Sequence, residues 1–170
     1  MSERRPVRIA NCSGFFGDRL SAAKEMVEVA LDEHGPIDVL TGDWLAELTM
    51  LILHKQRARN SELGYASTFL LQMEQVLGTC MERGIKVVTN AGGLNPAGCA
   101  EKVRDIAAKL RLDVKVAHIE GDDLMSRVDG LRPQLTHLDT GAPLTGEPLT
   151  ANAYLGGWGI AAALQAGADV

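Results

Sequence analysis

Residues 85–100 read I-K-V-V-T-N-A-G-G-L-N-P-A-G-C-A, and they constrain the fold more than any other stretch of the chain. A β-branched apolar run, a strand by composition, breaks into a polar, glycine-rich turn. The turn ends in Asn95-Pro96. Asn is a favoured helix N-cap, and Pro at the first helical position has no N–H to leave unpaired. A helix starting at Pro96 is therefore doubly specified. Strand, loop and helix in this order form the unit from which parallel α/β sheets are built. Such sheets bind ligands in the loops outside the carboxyl ends of their strands.

The rest of the chain repeats the unit. Pro6 to Ala10 reads as strand one and Asn11 to Asp18 as its loop. Arg19 to Glu33 places Leu20, Ala23, Met26, Val27, Ala30 and Leu31 at helical spacing, and His34-Gly35-Pro36 stops that helix. Ile37 to Leu40 is strand two, and Asp43 reads as the N-cap of a helix through about Arg59. A helix over Tyr65 to Glu82 follows, with Phe69, Leu70, Met73, Val76, Leu77 and Cys80 on one face and Arg83-Gly84 at its end. Ile85 to Thr89 is strand three, Pro96 to Leu110 a helix, Val114 to Ile119 strand four, and Leu124 to Val128 a short helix.

Asp129 to Leu149 changes character. It holds Pro133, Pro143, Pro148, Gly130, Gly141 and Gly146, and reads as an irregular excursion. Thr150 is expected to cap a last helix, Ala151 to Ala166, in which Gly156, Gly157 and Gly159 require a close neighbour. Gly167-Ala168-Asp169-Val170 reads as the lead-in to a further strand. The expected architecture is α/β: an open, mostly parallel sheet with helices on both faces, Rossmann-like and doubly wound. It forms a single domain over residues 1–170, read as the N-terminal fragment of a longer protein.

Composition excludes several classes. The net charge is −5 and the pI about 5.3, which leaves no basic footprint for nucleic acid or an anionic membrane. Cys12, Cys80 and Cys99 are odd in number and far apart, so reduced thiols in a cytoplasmic protein are expected. The start M-S-E-R-R-P has no apolar signal-peptide core. His34, His54, His118 and His137 lack zinc-ligand spacing, and no metal site is expected. His118 reads as a satisfied core residue inside a strand.

Chemistry is expected at the sheet's carboxyl edge. Asn90, Gly92, Gly93 and Asn95 can offer backbone N–H groups and a helix N-terminus to phosphate or carboxylate; equally, the glycines only make the turn. Gly14, Phe15, Gly17 and Asp18 form a G-x-x-G loop that a ligand could approach, without the three-glycine dinucleotide fingerprint. N-A-G-G after a strand suggests a short-chain dehydrogenase, but no Tyr-x-x-x-Lys pair follows Tyr65 or Tyr154. Asp43 and Glu47, four apart on one helix face, are candidates for general acid and base, or a cap with a favourable first-turn acid. Glu120, Asp122 and Asp123 follow strand four toward the same edge, Asp122 by itself reading as a cap.

The runs N-C-S-G-F-F-G-D, D-V-L-T-G-D-W-L-A-E-L-T-M, K-V-V-T-N-A-G-G-L-N-P-A-G-C-A, I-E-G-D-D-L and T-A-N-A-Y-L-G-G-W-G-I-A-A-A-L, in this order, strongly resemble the N-terminal domain of the acyclic terpene utilisation protein A family. The resemblance covers essentially the whole chain. It implies a role in bacterial breakdown of citronellol- and geraniol-type compounds, a route through coenzyme A thioesters. It supplies no catalytic residue. The resulting expectation is an enzyme acting on a branched acyl-CoA or related acid, as a lyase or hydratase. Its ligand would be an acidic small molecule or an acyl-CoA. The alternatives are a non-catalytic module docking onto another enzyme of the pathway, and a nucleotide-dependent oxidoreductase. Assembly as a homo-oligomer or with a pathway enzyme accompanies either of the first two.

Overall fold

The computed structural model describes residues 5–28 and 35–170. Three parallel strands form the sheet in the order β1 (Ile9–Asn11), β2 (Val39–Gly42), β3 (Lys86–Thr89). Ala10, Leu40 and Val87 pair in one row, and Leu40 and Val87 are buried in the core. The neighbouring row, Ile9, Val39 and Lys86, points to the other face, where Ile9 is 65% exposed. The α/β open parallel sheet is the expected architecture.

Helices α1 (Ala22–Glu28), α3 (Ser67–Arg83) and α4 (Pro96–Leu110) cover the buried row, α3 packing against both of the others. In chain order α2 (Glu47–Arg59) falls between α1 and α3. The expected continuation of the first helix past Glu28, and its stop at His34, lie outside the described residues. Ala23, Val27, Phe69, Met73, Val76, Leu77, Val103 and Ile106 fill the core from these helices. Helix α3 ends in a Schellman turn: Gly84, at φ 67°, donates to the Met81 carbonyl, and Ile85 N–H to that of Cys80. Asn95 caps α4, its side-chain oxygen accepting from Gly98 N–H at 2.9 Å.

Four expectations change. Val114 to Ile119 forms no ladder strand. Its backbone bonds to the last two residues, Lys115 C=O accepting from Asp169 N–H and Ala117 N–H donating to Val170 C=O, and Val116 C=O accepts from Arg104 Nη2 at 2.8 Å. Two residues are too short a partner for a full ladder. Asp169 C=O in turn accepts from Val87 N–H at 2.8 Å, so residues 169–170 lie between β3 and the 115–117 segment. The second expectation, a helix capped by Asp43, fails because residues 43–46 are not helical. Trp44 is fully buried edge-on to Phe69, and α2 starts at Glu47 after an uncapped Ala46.

The third expectation, a helix from Ala151 capped by Thr150, also fails. Asn152 bridges Asp123 as an isolated antiparallel pair, and Gly156 takes φ 68°. The helix there, α6, covers only Trp158–Gln165. Of the three glycines, only Gly159 lies inside it. Ile119 approaches to 2.9 Å of where its Cβ would be, which is the close neighbour the sequence demanded. Residues 125–134 form a 3-10 turn, the one-turn helix α5 (Val128–Leu131) and a second 3-10 turn. The short helix expected over Leu124 to Val128 is thus replaced by turns that run into the expected excursion, which is irregular only from Leu135 on.

Candidate functional site

A cleft of about 880 Å³ opens at the carboxyl end of the sheet. That volume falls within the roughly 300–1,000 Å³ usual for small-molecule sites. Its floor comes from the end of β3 and the first turns of α4, including Val88, Pro96, Cys99 and Val103. Leu45, Met50 and Phe69 form one wall. Val116 to Ile119, the Thr150–Gly156 run and Ile160, Ala163 and Leu164 of α6 form the other. The polar groups are few: Asp43, Glu47, Thr89, Asn90, His118, Asp122, Thr150, Asn152 and the Tyr154 hydroxyl. Among the described residues, no Lys or Arg lines it.

Asn90 organises the edge where β2 and β3 end. Its amide Nδ2 donates to Asp43 Oδ1 at 2.6 Å, and its Oδ1 accepts from Trp44 N–H at 2.8 Å. Asp43 N–H donates to the Ser13 carbonyl, tying in the end of β1. Thr89 donates from Oγ1 to Gly42 C=O and accepts from Ala91 N–H. One carboxylate of the candidate pair is therefore held on strand-end loops and the other, Glu47, on the first residue of α2. Both are exposed to the cleft, but they do not share a helix face as their spacing suggested.

Most of the N–H groups of the glycine-rich loop are already engaged within the chain. Ala91 N–H goes to Thr89 Oγ1, Gly93 to Asn90 C=O and Asn95 to Gly92 C=O within the loop, and Leu94 to Gly64 C=O outside it, while no such bond engages Gly92 N–H. At the N-terminus of α4, Gly98 and Cys99 N–H both go to Asn95. Gly92 and Gly93 still line the cleft as a shaped wall. Gly93, at φ 53°, has no room for a side chain, since a Cβ would lie 2.3 Å from Leu53 Cδ1. Asn95 turns away, donating to the Glu62 and Leu63 carbonyls.

Asn95, Glu120 and Asp122 share a smaller cavity of about 280 Å³ that meets the cleft at Gly93, Pro96, Asp122 and Asn152. Among the described residues, Arg57 is its only cation, donating to Leu94 C=O and standing 4.0 Å from Asp123. Asp122 is not a cap. Its Oδ2 accepts from Asn152 Nδ2 at 2.9 Å, while Asp123 makes the local turn to Met125 N–H. Gly14, Phe15, Gly17 and Asp18 line neither cavity. Their loop closes on itself, Gly14 N–H and Asp18 N–H bonding to Asp18 Oδ2 and Phe15 C=O.

Sequence reasoning missed His118, Asn152 and the apolar wall from Thr150 to Leu164. His118 is a cleft residue with Nε2 3.4 Å from Glu120, not a core histidine. A legible signal for the wall was the run Pro148 to Ala168, which carries no charged residue. Cys99 reaches the cleft, but burial pushes its thiol up to about 12, which withholds the thiolate a nucleophile needs. Among the described residues, no group of three His, Cys, Asp or Glu side chains is placed to hold a metal, and no helix is long and apolar enough to cross a membrane.

Comparison with known proteins gives one positive result. The model of the family described as "Acyclic terpene utilisation family protein AtuA" matches residues 7–170. No curated protein and no solved structure matched the chain. With the match spanning nearly its whole length, and in line with the motifs at the sheet's carboxyl edge, the chain belongs to the acyclic terpene utilisation family.

Proposed function

We propose that this protein is an enzyme of acyclic terpene breakdown whose cleft holds the branched, apolar acyl part of a coenzyme A thioester or related acid. Asp43 and Glu47 are its acid–base candidates. The observation that carries the reading is the lining: a broad apolar wall with a few carboxylates at the strand ends and, among the described residues, no Lys or Arg. A thioester is uncharged at its reacting end. It suits such a wall better than a free carboxylate, which would meet Asp43, Glu47 and Asp122 without a counter-charge. The phosphates of the nucleotide would stay outside the cleft.

Two carboxylates suffice for hydration. On an α,β-unsaturated thioester, one takes a proton from water as the water oxygen bonds to the β carbon, the α,β double bond breaks, and the other delivers a proton to the α carbon. No electrons are gained or lost. Lyase chemistry uses the same pair in reverse sense.

The test is a thermal-shift titration of the full chain with geranyl- and citronellyl-type acyl-CoA, acetyl-CoA and free coenzyme A, followed by turnover. Only the branched thioesters are expected to raise Tm. Asp43→Asn and Glu47→Gln should retain that shift while slowing turnover about 10²- to 10⁴-fold. An equal shift with free coenzyme A, or none with any thioester, would overturn the acyl-cleft reading. Unchanged turnover in both variants would remove the acid–base assignment.

A further inference from the structure

Asn90 stands just past the end of β3, and the sheet sets its place. The register pairs Gly42 with Thr89, and Thr89 Oγ1 donates to Gly42 C=O at 3.2 Å. Asp43 and Asn90, the residues that follow, therefore leave the sheet side by side. The Asn90 side chain spans two groups of the β2 loop. Its Oδ1 accepts from Trp44 N–H at 2.8 Å, and its Nδ2 donates to Asp43 Oδ1 at 2.6 Å. The two ends of the amide cannot be exchanged. A backbone N–H only donates, so the oxygen must face Trp44 and the NH2 group must face Asp43.

We propose that Asn90 is the positioning residue that makes Asp43 the base of the cleft, a role that rests on the acid–base reading of the site. Asp43 is held on every side but one. Its N–H donates to Ser13 C=O at 2.9 Å, Asn90 holds Oδ1, and the next residue, Trp44, is fully buried edge-on to Phe69. Trp44 Nε1 has no hydrogen-bond partner, so packing and the backbone bond to Asn90 are what fix that residue. Asp43 Oδ2 has no partner among the described residues, which leaves one oxygen of a fixed carboxylate for water. Glu47, the first residue of α2, has no such tether.

An amide N–H on a carboxylate oxygen favours the ionised form, which is the form a base needs. In the hydration, the proton of water passes to Asp43 Oδ2 as the water oxygen bonds to the β carbon. The electron pair of the α,β double bond then takes a proton from Glu47 at the α carbon. Other ionisable groups on the surrounding elements are Asp18 in the β1 loop, Cys99 on α4, His118 and Asp122 on the facing wall, and Tyr154. None of them bonds to Asp43 among the described residues.

Asn90→Asp isolates the role. It keeps an acceptor for Trp44 N–H and replaces the donor to Asp43 by a second carboxylate. Its Tm and near-ultraviolet circular dichroism should stay close to those of the native chain. The Asp43 carboxyl, followed by carbon-13 NMR on the full chain, should titrate at higher pH than in the native chain, because like charges oppose ionisation. With a branched, unsaturated acyl-CoA, kcat should fall about tenfold at neutral pH and recover as pH rises, with KM little changed. Asn90→Ala removes both bonds and should lose about 10²-fold at every pH. In an Asp43→Asn background, Asn90→Asp should cost nothing further. An unmoved Asp43 titration, a loss that rising pH does not recover, a further loss on top of Asp43→Asn, or an unfolded Asn90→Asp would each overturn the proposal. Full turnover in Asp43→Asn would remove the acid–base reading and the positioning role with it. The titration needs no substrate, and so separates that failure from a failure of Asn90 to hold Asp43.

Discussion

Arg111 is the only non-glycine residue at positive φ among the described residues, at 58°. It occupies the left-handed position that closes α4, where Arg111 N–H bonds to Ala108 C=O and Leu112 N–H to Ala107 C=O. At the matching position after α3 stands Gly84. A side chain in the left-handed region costs about 1–2 kcal/mol, part of which glycine returns as unfolded-chain entropy. Arg111→Gly is therefore expected to stabilise the chain by about 1 kcal/mol, read as a higher urea midpoint at unchanged slope. An unchanged or lower midpoint would show that a contact of the Arg111 side chain offsets the backbone cost. Residues of this kind were partly legible. Asn95-Pro96 announces its cap by residue type alone, because the cap bond is local. Asp43 announced a cap that does not exist, because the burial of Trp44 and the long-range bond from Asn90 hold residues 43–46 out of the helix.

Elements were legible where their pattern is local and strong. Helices α3 and α4 each bury one clean face, and their ends carry their own signals. The 114–119 segment was misread because strand identity depends on a partner, and its partner lies at residues 169–170. Helix α6 was over-extended because an apolar, alanine-rich run has no internal mark of where Gly156 turns the chain. Two glycines separate the cost of backbone freedom from the cost of packing. A Cβ at Gly78, mid-way along α3, would meet nothing within 4 Å, whereas a Cβ at Gly159 would lie 2.9 Å from Ile119. Gly78→Ala should raise stability by about 1 kcal/mol through helix propensity. Gly159→Ala gains the same propensity but drives Ile119 aside, at about 1–3 kcal/mol, and should come out neutral to destabilising while altering the cleft wall. Calorimetry that found both variants equally stabilised would mean that the Ile119 wall yields freely, and would demote Gly159 to a tolerated accident.

At the scale of the molecule, the sheet and the cleft are joined through one carboxylate. Asp169 Oδ1 accepts from Lys86 Nζ at 2.7 Å and its Oδ2 from Lys115 N–H at 2.9 Å, while its own backbone joins Val87 to Lys115. It thereby fastens the 115–119 wall to β3. Burial raises its pKa, but the hydrogen bonds from Lys86 and Lys115, with their charges, outweigh that and hold it below the ordinary 3.8. A carboxyl with a depressed folded pKa binds its proton more weakly folded than unfolded. Its stabilising contribution is complete above the ordinary value and is lost as pH falls through the lower, folded value. Asp169→Asn is expected to be less stable than the native chain at neutral pH, and the gap should close below about pH 3.8, since protonation then makes the native residue resemble the variant. Lys86→Met should reproduce part of the neutral-pH loss. The loosening should also appear as faster amide exchange at Val87 and Ala117, whose N–H groups bond to Asp169 and Val170. A stability gap that stays constant through the acid range would show that the backbone pairing alone holds the wall, and that the carboxylate only decorates it.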